Sequence, residues 1–266
     1  MNWKRNCAVV IACFNERGTI GDLVRAVREL LPTVIVVDDG STEGTAAEAA
    51  RAGAEILRHS KNRGKGAALQ SGFKCASSRG FAWVLTLDGD GQHHPADIPA
   101  LLARADESET ALVVGNRMAT ADAMPPVRRF VNGWMSRRLS RLAGVALPDS
   151  QCGLRLVNLD AWSNMRFETE HFEFESELLI EFIRTGLKVE FVPVRVIYNS
   201  GKSRIRPLLD GWRWIRWWFA QCAVFSPRFS GLQHDSCSPG QLHIRAVQSC
   251  LPGVAAKFPT AKPALD

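Results

Sequence analysis

The sequence contains no apolar run approaching the roughly 18 residues that a membrane-spanning helix requires, so no span is expected in its 266 residues. Its seven cysteines (Cys7, Cys13, Cys75, Cys152, Cys222, Cys237 and Cys250) include no CxxC pair and no metal-type spacing. Several sit in apolar runs, where a small buried thiol in a reducing compartment is the expected role. The apolar run at 7–14 is too short for a signal peptide and continues directly into Asn15-Glu-Arg-Gly18, so a cytoplasmic location is expected. No GxGxxG follows the first strand, which argues against a dinucleotide-binding oxidoreductase. Asn62-Arg-Gly-Lys-Gly66 lacks the upstream glycine of a phosphate-binding P-loop, and there is neither a Gly-x-Ser-x-Gly elbow nor a credible Cys/His pair. Internal repeats are also missing.

Positive charge is in modest excess, with 33 Lys+Arg against 27 Asp+Glu, and its location decides what it means. Residues 1–198 hold 24 basic and 24 acidic side chains, whereas 199–228 hold six basic ones and only Asp210 as an acid. A neutral body with one basic patch offers no extended groove for a polyanion, so no nucleic-acid partner is expected. Hydrophobic residues at 46% and charged residues at 23% describe a globular chain.

The first 115 residues alternate regularly. After the strand-length run at 7–14, Ile20, Leu23, Val24, Val27, Leu30 and Leu31 recur at helical spacing. Residues 34–37 form a second buried strand ending in Asp38-Asp39-Gly40-Ser41, followed by a helix over 45–52, a strand over 55–58 and a helix over 66–78. A third apolar run, 82–87, ends in Asp88-Gly89-Asp90-Gly91-Gln92; Pro95 opens the next helix and 110–114 is one more strand. Alternating βα units with fully apolar strands predict an α/β fold, a mostly parallel sheet with helices on both faces. The remainder is less regular: a helix over 127–143 with Arg128, Arg129, Arg137, Arg138 and Arg141 and no acid, a loop over 149–155, a helix over 174–185 and a strand pair over 188–198. The expected layout is one domain over 1–200, split into 1–118 and 119–200, an amphipathic helix within 201–225, and a Pro/Ser/Gly-rich stretch over 226–266 that is expected to be disordered.

In such sheets functional residues gather at the carboxyl ends of strands. The polar clusters after Phe14, Val37 and Leu87 all fall there and suggest a nucleotide or metal cleft. Asp88 and Asp90, separated by one glycine, can turn toward one hard divalent cation, with Gln92 as a further oxygen donor and water or phosphates completing the shell. Acidic pairs after strands also occur as plain loop caps, and spacing alone does not separate the two.

An ordered series of motifs extends this reading. It comprises Val9-Val-Ile-Ala-Cys-Phe-Asn-Glu16, Val36-Val-Asp-Asp-Gly-Ser-Thr-Glu-Gly-Thr45, Asn62-Arg-Gly-Lys-Gly-Ala-Ala68 and Leu87-Asp-Gly-Asp-Gly-Gln-His93. Gly115-Asn-Arg117, Asp149-Ser-Gln-Cys-Gly-Leu-Arg155, residues 172–177 and Gly201-Lys-Ser-Arg204 follow in order. The series resembles inverting family 2 glycosyltransferases of GT-A fold, of the dolichol-phosphate mannosyltransferase or polyprenyl-phosphate glycosyltransferase type. The resemblance implies a nucleotide-sugar donor of the GDP-mannose or UDP-glucose type, a polyprenyl-phosphate acceptor, and Mg2+ or Mn2+ on Asp88, Asp90 and Gln92. It assigns the donor to Ala12 (where the family usually has proline), Phe14, Glu16, Asp38, Asp39, Gly64 and Asp88, with Asp39 on the base. Arg117, Arg155, Lys202, Ser203 and Arg204 would meet phosphates of donor or acceptor. Asp90 and Arg155 would assist departure of the diphosphate, and Asp149 would orient the nucleophile, serve as base toward a hydroxyl, or simply cap a loop. Of Glu175 and Glu177, one is expected to face the cleft and the other solvent. Two other readings stay open: a hydroxyl acceptor on a glycolipid or polysaccharide, and a catalytically silent membrane-surface protein.

Residues 208–222 place four of the eight tryptophans within seven positions. On a helical wheel Leu208, Trp212, Ile215, Trp218, Phe219 and Cys222 share a face that Trp214 and Trp217 widen, with Arg213 and Arg216 opposite. That pattern suits a helix lying on an anionic membrane surface, peripherally bound at the cytoplasmic face of the inner membrane. A helix packed on the sheet with one wet edge is the alternative.

Overall fold

The computed structural model describes residues 1–197 and 207–225. In chain order the elements are α1 (Trp3–Asn6), β1 (Cys7–Cys13), α2 (Arg17–Leu30), β2 (Val34–Asp38), α3 (Thr45–Arg51), β3 (Glu55–Arg58), α4 (Lys65–Ser78) and β4 (Trp83–Asp88). There follow α5 (Ile98–Glu107), β5 (Leu112–Asn116), α6 (Pro126–Ala143), β6 (Arg155–Asn158), α7 (Leu159–Ser163), α8 (Phe174–Arg184), β7 (Val189–Pro193) and α9 (Pro207–Phe225). The strands make one seven-stranded sheet in the order β3-β2-β1-β4-β6-β5-β7, in which only β6 opposes the others.

The order follows from the sequence pattern. β1, β2 and β4 are apolar along almost their whole length because both faces of the sheet are covered, and they form its centre. From β1 the chain steps to β2 and β3 on one side, then returns through α4 to β4 on the other. Right-handed crossovers therefore put α2 and α3 on one face and α4 on the opposite face. The reversal leaves a crevice at the carboxyl ends of β1 and β4, where Ala12 and Asp88 are ladder neighbours.

Two sequence expectations change. β6 begins at the last residue of the expected 149–155 loop, where no strand was expected: it is four residues long and starts on a charged Arg155, so it carries no strand-length apolar run. The expected strand pair over 188–198 is a single strand, β7, at the sheet edge, where Pro193 ends it without costing an interior ladder bond. Beyond it, Val196 makes one isolated antiparallel bridge to His93.

α9 is divided between core and solvent differently from the wheel. Trp214 and Trp217 are buried, and Trp214 packs 5.6 Å from the ring of Trp134 on α6 and donates from Nε1 to Ser176 Oγ at 3.0 Å. The guanidinium of Arg138 lies 5.3 Å from the Trp134 ring and 5.2 Å from that of Trp218, joining α6 to α9. Trp212 and Phe219, at 64% and 63% exposure, point to solvent. Among the described residues no helix is long and apolar enough to cross a membrane.

α4 reaches the sheet through small residues. A Cβ on Gly72 would stand 2.4 Å from Val10 Cγ1 and 3.2 Å from Val37 Cγ2, so any side chain there forces helix and sheet apart. Gly72→Ala is expected to lower the unfolding free energy by about 1–3 kcal/mol, read as a lower urea midpoint. An unchanged midpoint would refute this close seating of α4.

Candidate functional site

The loops after β1 and β2 are cross-linked into one cradle. Asn15, with a φ of 56°, donates from its backbone N to Ser41 Oγ, and its side-chain Oδ1 accepts from Thr42 N. Glu16 N donates to Thr45 Oγ1. Asp38 Oδ1 accepts from Ser41 N, while its buried Oδ2 accepts no hydrogen bond and lies 3.4 Å from Arg58 Nε. Ala12, Phe14 and Glu16 remain partly exposed along this edge, and Gly40, Ser41, Thr42, Arg58, His59 and Ser60 line an open depression beside it.

Asp39, expected on the base, is 3% exposed and engaged within the chain. Its Oδ1 meets His59 Nδ1 at 2.7 Å and accepts from Arg63 N, and its Oδ2 accepts from Gly64 N at 2.8 Å. His59 Nε2 in turn lies 3.0 Å from Ser71 Oγ. Asp39 thus shapes the loop that starts α4. Gly64 has a φ of +106°, and a Cβ there would stand 2.1 Å from His171 Nδ1, so no other residue fits.

At the end of β4, Asp88 Oδ1 receives the ammonium of Lys65 at 2.6 Å, and the same Nζ lies 3.0 Å from Glu175 Oε1 on α8. Asp88 Oδ2 faces His93 Nε2 at 3.7 Å. The loop at Gly153 closes the same side, where a Cβ would stand 2.6 Å from that oxygen. Burial pushes the Asp88 carboxyl up, but the Lys65 charge and His93 outweigh it and hold it far below the usual carboxylate range. Burial and the neighbouring Asp88 charge raise Asp90 instead. Asp90 Oδ1 accepts from Gln92 N, Gln92 Oε1 accepts from Arg128 Nη1 at 3.3 Å, and Thr19 Oγ1 donates to Gly89 O at 2.8 Å.

The donor set suits a hard divalent cation. Two carboxylates and an amide oxygen stand on one loop, and the ammonium of Lys65 is shared between Asp88 and Glu175. Among the described residues no group of three His, Cys, Asp or Glu is preassembled, so further positions would fall to amide, water or substrate oxygens.

Other expected site residues are turned inward. Asp149 has no side-chain exposure; its Oδ2 accepts from Arg117 N at 3.0 Å and Nε at 2.8 Å, and its Oδ1 accepts from Arg117 Nη2 at 2.9 Å. Burial would raise its carboxyl, but the Arg117 hydrogen bonds and charge lower it. Arg155, expected on a phosphate, is 1% exposed and donates to the carbonyls of Cys152, Glu175 and Ser150. A guanidinium so enclosed meets no phosphate in this conformation, and its role here is to join the 150–152 loop to α8. Glu177, one candidate for solvent, is buried and accepts from Glu168 N, Thr169 N and Thr169 Oγ1. Lys202, Ser203 and Arg204 lie outside the described residues.

The sequence reading left Lys65 and His59 without a specific role in the cleft. A lone lysine between two glycines at a helix start was the available signal for Lys65. Its pairing with Glu175, 110 positions away, left no local trace.

The sequence profile of Glycosyl transferase family 2 matches residues 8–161. An uncharacterized protein of Methanocaldococcus jannaschii is 33% identical over 217 residues, which take in 79% of this chain and 89% of that protein. Polyprenol monophosphomannose synthase of Mycolicibacterium smegmatis is 30% identical over 200 residues, 70% of this chain and 75% of its own length. Among solved structures, glucosyl-3-phosphoglycerate synthase from Mycobacterium tuberculosis, in complex with Mg2+ and uridine-diphosphate, matches with a TM-score of 0.62 at 22% identity. That match covers 83% of this chain and 79% of the other. The likeness establishes the fold as GT-A.

Asp149 and Arg117 generate a pH-dependent expectation. The depressed carboxyl contributes fully above its unfolded-state value of about 3.9, and the contribution is lost as pH falls through the lower folded-state value. Asp149→Asn is expected to cost about 3 kcal/mol of stability at neutral pH, with the gap to wild type closing only below about pH 4. Urea melts across that range check it; a gap that does not move with pH contradicts the ion-pair assignment.

Proposed function

The chain belongs to glycosyltransferase family 2, and on that footing we propose that it is an inverting, metal-dependent hexosyltransferase acting on a polyprenyl phosphate at a membrane surface. The donor is a nucleotide-diphosphate sugar of the GDP-mannose or UDP-glucose type. One observation carries the choice of acceptor. Arg128 touches Gln92 on the acidic loop while its neighbours Val127, Phe130 and Val131 stand exposed at 75%, 68% and 42%. A cleft whose cation-binding loop adjoins exposed apolar side chains through one arginine suits a substrate with an anionic head and an apolar chain. The similarity to a polyprenol monophosphomannose synthase supports the same acceptor.

Asp88, Asp90 and Gln92 would hold Mg2+ or Mn2+, which when bound neutralises the charge of the departing diphosphate as a Lewis acid. Ala12, Phe14, Glu16 and Asp38 border the donor. Asp39 acts on it indirectly, by fixing His59 and the backbone at Arg63 and Gly64. Arg128 receives the acceptor phosphate with a planar, charge-assisted contact, and Lys202, Ser203 and Arg204 are assigned to the same phosphate by resemblance. A phosphate monoester is ionised at neutral pH, so in-line attack on the anomeric carbon needs positioning rather than a strong base. Asp149, enclosed with Arg117, therefore supports the acceptor side without taking a proton.

At the membrane, α6 and α9 leave Phe130, Trp212 and Phe219 in solvent. Arg129, Arg213 and Arg216 on the same helices add attraction of about 1 kcal/mol each to an anionic leaflet. The enzyme is accordingly read as peripheral, at the cytoplasmic face of the inner membrane.

Incubation with Mn2+, labelled donors and undecaprenyl phosphate is expected to move label into the organic phase; a water-soluble product, or none with any donor, would sink the lipid-phosphate reading. Asp90→Ala should lower turnover by about a hundredfold or more, and Arg128→Ala should raise KM for the lipid about tenfold without weakening nucleotide binding. The double variant Trp212→Ala/Phe219→Ala should sediment less with phosphatidylglycerol vesicles while keeping its melting temperature. Equal sedimentation would remove α9 from the membrane contact.

A further inference from the structure

Lys65 occupies an unusual seat. Its ammonium is 2.6 Å from Asp88 Oδ1 and 3.0 Å from Glu175 Oε1, with the side chain only 15% exposed and Nζ 5.8 Å from the centre of the Phe172 ring. The backbone beneath it is pinned by the Gly64 N–H on Asp39, and Gly66 is pressed against Phe174, where a Cβ would stand 2.5 Å away. On the far side of Asp88, the Gly153 loop and His93 crowd Oδ2. A cation approaching Asp88 must therefore contend with Lys65 at Oδ1. Glu175 gives the ammonium a second anchor, so it can yield that oxygen without leaving the cleft.

We propose that Lys65 is a positioning residue that couples cation and donor binding, competing with the divalent cation for Asp88 so that the cation binds firmly only together with a nucleoside diphosphate. This rests on the metal and donor reading above. Two positive centres sharing one carboxylate repel each other at short range. The diphosphate brings negative charge to both and relieves the repulsion. Coupling of this kind is reciprocal: the factor by which the nucleotide tightens the cation equals the factor by which the cation tightens the nucleotide. Glu175 is the other half of the device, because it shares the ammonium with Asp88.

The test is a Mn2+ titration of the full chain followed by electron paramagnetic resonance, alone and with UDP or GDP. Wild type is expected to bind Mn2+ weakly alone and more tightly with nucleotide. Lys65→Met should bind Mn2+ alone on the order of tenfold more tightly and lose most of the nucleotide-dependent gain, while Lys65→Arg keeps the wild-type behaviour. Glu175→Gln leaves the ammonium to Asp88 alone, so it should weaken Mn2+ binding. These opposite signs separate competition from a structural ion pair, whose loss would weaken binding in both variants. Should Lys65→Met fail to fold, the double variant Lys65→Met/Glu175→Gln, which buries neither charge of the pair, should bind Mn2+ about tenfold more tightly than Glu175→Gln. Unchanged or weaker Mn2+ binding on loss of Lys65, or a shift of the same sign in Glu175→Gln, overturns the proposal. If wild type binds neither UDP nor GDP at any Mn2+ concentration, the donor reading fails instead, and the signs with Mn2+ alone still decide whether Lys65 competes for Asp88.

Discussion

A guanidinium inside a protein must find acceptors for its donors or exact a large desolvation cost. Arg155 meets that demand with the carbonyls of Ser150, Cys152 and Glu175, and the second half of the molecule is organised by the result. The carbonyls belong to the loop carrying Asp149 and to the first turn of α8. With Glu175 held by its backbone, its carboxylate is delivered to Lys65, and Lys65 to Asp88. The same loop passes Asp88 so closely at Gly153 that only a glycine fits. One buried cation thus joins β6, α8 and the acidic loop into a continuous set of contacts.

The donor side is built differently. Its loops are held by neutral hydrogen bonds joining Asn15 to Ser41 and Thr42 and the Glu16 backbone to Thr45, and by Asp39 on two backbone N–H groups. On the proposed reading such an arrangement would order the nucleotide cradle before any ligand arrives, reducing the conformational entropy lost on binding.

The legibility of the fold in the sequence follows the same division. β1, β2 and β4 announced themselves because both faces are covered and nearly every position is apolar, and the crevice could be located from their polar ends. β6 could not, since four residues beginning on an arginine carry no period. Spacing singled out Asp88 and Asp90, but the charges that tune them were not visible there. Lys65 and Glu175 meet across the fold, and an ion pair between distant positions leaves no mark on either neighbourhood. The resemblance offered Asp149 and Arg155 chemical roles; in the fold Asp149 is enclosed with Arg117, and Arg155 is taken up by three backbone carbonyls. On α9 the wheel counted apolar residues correctly but could not tell that Trp214 would pack on α6 with Trp217 buried beside it, leaving Trp212 and Phe219 outside.

The guanidinium of Arg138, between the rings of Trp134 and Trp218, has a mechanical consequence. It couples α6 and α9, favouring movement of the two helices together. On a bilayer, the depth at which Trp212 and Phe219 settle would then set the height of Arg128, and with it the height of the acidic loop, above the lipid. The coupled pair would act as a spacer: only a phosphate carried at the matching elevation would meet the cleft, and selection among lipid acceptors would become a matter of vertical reach as well as chemistry.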